Sequence, residues 1–183
     1  MKIPQKDYQI RNIHYIIRSV KETDAINLSE VRLKIDGETE NLDREPGEAY
    51  IDEAGFQQLI RNDTESDRNL FLVVEANGKI VGFSRCEGYN LTRKAHQVEF
   101  GVGVLKEYWG YGMGKNLLAQ SIQWADANHF KKMTLSVLET NEKAISLYQK
   151  LGFEVEGVLK QDKLLSDGHF YNTILMGRIK ADE

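Results

Sequence analysis

Cysteine is almost missing from this 183-residue chain, which has only Cys86. A single thiol excludes an internal disulfide framework and a cysteine-built metal site. Histidine is scarce too, with four scattered residues and no pair at ligand spacing, so no metal is expected. Basic charge is not in excess: 24 Lys and Arg face 28 Asp and Glu, a formal net charge of −4. That balance argues against a general nucleic-acid or membrane-surface binder. No apolar run is long enough to cross a bilayer, and Met1 to Asn12 is too polar and charged to be a secretory signal. Repeats, low-complexity tracts and interdomain linkers are absent as well. The expectation is one soluble, cytoplasmic domain over residues 1–183, with residues 1–12 an N-terminal arm of undetermined structure.

What the sequence does have is a glycine-rich bend between a strand and a helix. The stretch Glu99-Phe-Gly-Val-Gly-Val-Leu-Lys-Glu-Tyr-Trp-Gly-Tyr-Gly-Met-Gly-Lys115 begins with an alternating strand that ends near Val104. After the bend, Gly114, Leu117, Leu118, Ser121, Ile122 and Ala125 recur with the spacing of one helix face. A strand, a glycine bend and a helix start together present unpaired backbone N–H groups to an anion. Gly110, Gly112 and Gly114 would let a phosphate approach without a Cβ in its way. Two familiar phosphate loops fail on residues. A Walker-type loop needs glycine where Trp109 stands and a hydroxyl where Asn116 stands, and a dinucleotide fingerprint starting at Gly112 needs a small residue where Leu117 stands.

Along the chain, His14–Val20 reads as a strand, and Thr23 or Asp24 can cap a helix with apolar positions Ala25, Leu28, Val31 and Ile35. Asp36–Tyr50, acidic and carrying Pro46-Gly47, reads as a loop. A second helix is expected from about Asp52 to Arg61. Leu70–Ala76 and Ile80–Cys86 flank Asn77-Gly78, a strong hairpin signal. His96–Val104 alternates, with Gln97, Glu99, Gly101 and Gly103 on one face and Val98, Phe100, Val102 and Val104 on the other. Gly112–Asn128 is a helix, Thr134–Leu138 a strand and Asn141–Leu151 a helix. Phe153–Leu165 and Tyr171–Ile179 are strands joined through Ser166-Asp167-Gly168. The order is β α α β β β α β α β β.

That order, together with two motifs, resembles the GNAT superfamily of acetyl-coenzyme A-dependent N-acetyltransferases from residue 14 onward. The loop Trp109-Gly110-Tyr111-Gly112-Met113-Gly114 is similar to the family's Gln/Arg-x-x-Gly-x-Gly/Ala, with Trp109 in the Gln/Arg position. Asn141-Glu-Lys-Ala144-Ile-Ser-Leu-Tyr148-Gln-Lys-Leu-Gly152-Phe153 resembles the family's Asn-x-x-Ala-x-x-x-Tyr-x-x-x-Gly-Phe segment at every marked position. The Tyr-Trp-Gly-x-Gly form looks like the subgroup of ribosomal-protein and spermidine acetyltransferases. So does the run from Asp167 to Met176, although Asn172 stands where that subgroup often has aspartate.

The resemblance implies an α/β fold of the α+β kind, a mixed, mostly antiparallel sheet flanked by about four helices. It also implies transfer of an acetyl group from acetyl-CoA to a primary amine by direct attack in a ternary complex, without a metal. An alkylamine with pKa ~10.4 is neutral in about one molecule in 10³ at pH 7, so it needs a base. Glu99 is the candidate base; the bland alternative is a strand carboxylate pairing with a Lys or Arg. Tyr148 is the candidate acid for the leaving thiolate, or else an amphipathic residue completing the buried helix stripe. Backbone groups of Val102 and Val104 would pair with the pantetheine arm. The N–H groups of Gly112, Gly114 and Lys115, within the loop that also contains Gly110, Tyr111 and Met113, would take the pyrophosphate. Asn141 would meet pantetheine or cap its helix, with Ala144 beside it, and Trp109 would pack or border the cofactor. Cys86 and Trp124 read as core. Acceptors would be small-molecule or peptide amines, with no nucleic-acid or membrane partner and a homodimer left open. The acidic 36–50 segment would attract a cationic amine or be merely solvated. The competing readings are a non-catalytic acyl-CoA-binding or regulatory module on the same fold, and an unrelated nucleotide-binding protein.

Overall fold

The computed structural model describes residues 1–181; the last two residues of the expected 1–183 span lie outside them. Its strands are β1 (Lys6–Ile10), β2 (Ile13–Ser19), β3 (Asn69–Ala76), β4 (Lys79–Gly88), β5 (Gln97–Val104), β6 (Lys132–Leu138), β7 (Glu154–Leu164) and β8 (Phe170–Ile179). The helices are α1 (Ala25–Glu38), α2 (Glu53–Glu65), α3 (Met113–Ala127) and α4 (Glu142–Lys150). The strands form one sheet in the order β1-β2-β3-β4-β5-β6-β8-β7, antiparallel except for β5 with β6. Mixed α/β architecture with a mostly antiparallel sheet and four helices is what the family resemblance implied.

Both faces of the sheet are covered. Phe71, Val73 and Ile80 pack with Ala25, Leu28, Phe56 and Ile60 under α1 and α2. Leu70, Leu72, Val74, Cys86, Val98 and Phe100 pack with Leu117, Leu118, Trp124 and Tyr148 of α3 and α4. The central strand β3 is therefore buried on both sides, which is why it reads as a continuous apolar run. Asn77 and Gly78 both take positive φ, 52° and 71°, as a two-residue hairpin requires. No helix among the described residues is long and apolar enough to cross a membrane.

The structure fills in one stretch that the sequence left undetermined and corrects one expectation. The N-terminal arm contains a strand: β1 pairs with β2 from Lys6↔Ile17 to Ile10↔Ile13 through a tight turn in which Arg11 has φ 54°. The acidic segment is also not all loop, because α1 runs on through Glu38. Asp36 is buried there and binds the Arg44 guanidinium at 3.1 and 3.2 Å. Its neighbours are occupied as well. Glu38 accepts from the Lys106 N–H at 2.7 Å, Glu40 from the Ser166 N–H at 2.8 Å, Glu48 from the Glu45 N–H at 2.9 Å, and Asp43 pairs with Lys163. The segment fastens α1 to the β7–β8 hairpin, so much of its negative charge is already spent on neighbours.

Candidate active site

The site follows from how little β5 and β6 share. Their parallel register runs from Gln97↔Lys132 to Glu99↔Thr134 and stops. Beyond it β5 stays on β4 as far as Val104↔Gly82, while β6 stays on β8 as far as Leu138↔Thr173. The sheet thus opens into two halves joined by a short seam. Backbone direction alternates along β5. Gln97 C=O and Leu105 N–H bond on the β4 side, at 3.4 and 2.9 Å, so the odd-numbered residues face β4. The N–H and C=O groups of Val102 and Val104 accordingly face the gap, past the last residue that β6 pairs. One of them is used: the Trp109 indole donates to the Val104 carbonyl at 2.8 Å. Trp109 does not pack in the core as Trp124 does; it is 46% exposed on the rim of the gap.

Each strand of the parallel pair feeds a helix whose N-terminus stands at the open end of the gap. After β5 come the turn Lys106–Tyr108 and the glycine loop. Gly110 and Gly112 have φ 83° and 74°, left-handed values that side chains adopt at a cost. Gly112 is the N-cap of α3 and offers no side-chain cap. Asn116 N–H, which bonds Gly112 C=O at 2.9 Å, is the first satisfied donor of the helix. Among the described residues the N–H groups from Gly110 to Lys115 have no hydrogen-bond acceptor. Free donors at a helix N-terminus, backed by the dipole of a 15-residue helix, form an anion cradle. A Cβ at Gly114 would point into open space, so the entrance has no side chain across it.

After β6, Asn141 caps α4, its Oδ1 accepting from Ala144 N–H at 3.4 Å. The cap reading of Asn141 therefore holds. The i, i+3, i+4 stripe of α4 carries Ala144, Ile145 and Tyr148 into the same core as Val98 and Phe100. The Tyr148 ring is 9% exposed and lies 6.0 Å from the Phe153 ring. Its hydroxyl has no hydrogen-bond partner among the described residues, and burial raises its pKa above 10.0, so the phenol remains a donor at neutral pH.

Glu99 lies on the opposite face of β5 from Val98 and Phe100, at the last seam position before the strands part. It is exposed, and its contact is the Tyr89 hydroxyl at 3.4 Å, not a Lys or Arg. Glu99 and Tyr148 thus belong to opposite faces of the sheet, with no bond between them. Cys86 is fully buried and its thiol is pushed up to about 12 by burial, which removes it as a nucleophile.

Sequence reasoning missed Tyr15 of β2. It is fully buried, its hydroxyl donates to Tyr111 C=O at 3.2 Å, and it accepts from Asn116 Nδ2 at 2.7 Å. The available signal was the tyrosine itself, since a buried phenol needs a partner for its hydroxyl. Asn172, the departure from the subgroup pattern, is tied up in structure: it donates to Glu139 at 2.7 and 3.0 Å and accepts from Gln161 N–H at 2.8 Å.

Comparison with known proteins agrees with this fold. Residues 37–153 match the model of the Acetyltransferase (GNAT) family. The L-amino acid N-acetyltransferase AaaT of Escherichia coli (strain K12) is 30% identical over 111 residues, 60% of this chain and 67% of that protein. The spermidine N(1)-acetyltransferase of the same strain is 32% identical over 134 residues, 72% of this chain and 68% of that one. A crystal structure of a GNAT-family acetyltransferase from Streptococcus pneumoniae superposes with a TM-score of 0.87 at 27% identity, covering 91% of this chain and 99% of that chain. The chain belongs to the GNAT family of N-acetyltransferases, enzymes that take their acetyl group from acetyl-CoA.

Proposed function

We propose that this protein, in the cytoplasm, transfers an acetyl group to a primary amine, small-molecule or peptide, within a ternary complex. The carrying observation is the divergence of β5 from β6 past Glu99, which leaves the backbone groups of Val102 and Val104 facing a gap. The donor supplies a thioester carbonyl. Val102 and Val104 bind its pantetheine arm as a neighbouring strand would, through main-chain hydrogen bonds. The N–H groups of Gly112, Gly114 and Lys115 hold the pyrophosphate. Glu99, on the solvent side, removes the ammonium proton directly or through a water, giving the neutral amine that attacks. Tyr148, still protonated at neutral pH, gives its proton to the departing sulfur.

An amine acceptor is supported by relatives that act on L-amino acids and spermidine by name. The acidic segment supports a cationic acceptor less than its composition suggests, because Asp36, Asp43, Glu38 and Glu40 are engaged internally. The test is thiol release from acetyl-CoA across polyamines, amino acids, amino-sugars and N-terminal peptides. At least one amine should release thiol stoichiometrically with N-acetyl product. Tight acetyl-CoA binding with no release for any amine would favour a non-catalytic acyl-CoA-binding module.

A further inference from the structure

We propose that Tyr15, reaching in from the N-terminal β1–β2 hairpin, is a positioning residue that holds the glycine loop in its anion-binding shape by fixing the Tyr111–Gly112 peptide. The inference rests on reading residues 110–115 as the pyrophosphate loop, and it adds a part of the chain that the family match over 37–153 does not include.

The argument begins with the loop's freedom. Gly112, at φ 74°, sits in a region that glycine enters and leaves easily, so the peptide before it can turn over. A planar trans peptide points its C=O and its N–H in opposite directions. With Tyr111 C=O turned inward, Gly112 N–H turns outward toward an anion. With the peptide reversed, a carbonyl oxygen faces the anion and repels it. Nothing in the local sequence decides between these two states.

Tyr15 decides it. Its hydroxyl is buried and uses both of its hydrogen-bonding capacities, donating to Tyr111 C=O at 3.2 Å and accepting from Asn116 Nδ2 at 2.7 Å. Asn116 also donates its backbone N–H to Gly112 C=O at 2.9 Å, so one residue in the first turn of α3 fastens both the phenol and the cap. Burial raises the Tyr15 pKa, which keeps the donor proton on the phenol. The hairpin is itself anchored: Tyr8 stacks on Tyr15 at 5.2 Å and accepts from Gln120 of α3 at 2.8 Å. Ile10 closes on Gly112, where an added Cβ would lie 3.0 Å from its Cδ1. On the outer side, the Arg11 guanidinium lies over the Tyr111 ring at 5.5 Å. The loop is thus gripped from within and capped from without by a single hairpin.

Tyr15→Phe separates this role from packing, because the ring and its stack on Tyr8 are retained. Calorimetric titration should show the coenzyme A dissociation constant rising at least about tenfold, a difference of ~1.4 kcal/mol. The KM for acetyl-CoA should rise in parallel, while kcat changes much less. Acetyl-pantetheine, which lacks the pyrophosphate, should be used with nearly the same relative efficiency. Unchanged coenzyme A affinity, or equal losses with both donors, would overturn the proposal. If Tyr15→Phe does not fold, Asn116→Leu takes its place: it should weaken coenzyme A selectively over acetyl-pantetheine, and an unselective or absent effect would overturn the proposal. Gly114→Val provides the reference. Wild-type coenzyme A binding by Gly114→Val would sink the loop reading and this proposal together. Weak binding by Gly114→Val beside normal binding by Tyr15→Phe would sink the Tyr15 proposal alone.

Discussion

Two helices of this protein start in the same way and end up chemically opposite. Both α3 and α4 begin just past the C-terminal end of a strand of the parallel pair, and both direct an N-terminus at the same gap. At α4 the cap is Asn141, whose side chain satisfies Ala144 N–H from within the chain. At α3 the cap is glycine, with no side chain to offer, and the donors stay free. A helix start closed by its own side chain is fixed in place and can carry a precisely held phenol. A helix start left open has an unmet demand for an acceptor, which a ligand can meet. On the proposed reading, binding belongs to α3 and chemistry to α4.

Mutations can break that division of labour. The largest effect is expected at the α4 end. Tyr148→Phe keeps the ring in its packing site but removes the proton donor, so kcat should fall by about 10²- to 10⁴-fold with the acetyl-CoA KM little changed. A wild-type rate in single-turnover mixing would make Tyr148 a core residue only. Since burial raises the Tyr148 pKa, the wild-type enzyme should keep its acid function beyond the pH at which a free phenol ionises, and lose it only at higher pH. That alkaline limb should vanish in the phenylalanine variant.

Next comes Glu99→Gln, which should lower kcat/KM about 10²-fold at neutral pH and recover in part at alkaline pH, where the amine is already neutral. Persistence of the acidic limb with the same apparent pKa would assign the base elsewhere. At the α3 end, Gly114→Val should raise the acetyl-CoA dissociation constant about tenfold or more, ~1.4 kcal/mol, with little change in melting temperature. Gly114 suits this test better than Gly112, where the positive φ and the contact with Ile10 would add strain to any loss of binding. The smallest effect sharpens the contrast from the other side. Asn141→Ala removes a cap worth ~1 kcal/mol, and the melting temperature should drop by about 2–4 °C for a chain of this size. Asn141→Asp should restore stability. A large rise in the acetyl-CoA KM for the alanine variant would mean that Asn141 also meets the pantetheine arm.

What could be read from the sequence was whatever the chain encodes locally. Asn77-Gly78, the stripe from Gly114 to Ala125, and the Asn141–Phe153 segment each carry their conformation within a few residues. β1 was hard to see because its alternation covers only Asp7 to Ile10, with two half-buried apolar residues, too short a run to mark a strand without its pairing to β2. The acidic segment misled because composition does not show which carboxylates are taken up, Asp36 by Arg44 within the segment and Asp43 by Lys163 far along the chain. Tyr15 escaped notice for the same reason: its partners, Tyr111 and Asn116, are about a hundred residues away. The glycine loop was legible as a loop; the device that sets its peptide orientation lies in another part of the chain.

The short seam between β5 and β6 has a kinetic corollary. On the proposed reading, what fills the gap is the pantetheine arm, and its amides are identical before and after transfer. Most of the holding power is therefore indifferent to whether the carrier still bears its acetyl group. Free coenzyme A should compete with acetyl-CoA at comparable concentrations and should leave slowly. An enzyme built this way responds to the ratio of charged to discharged carrier in its surroundings, and slows as that ratio falls even when the donor itself is plentiful.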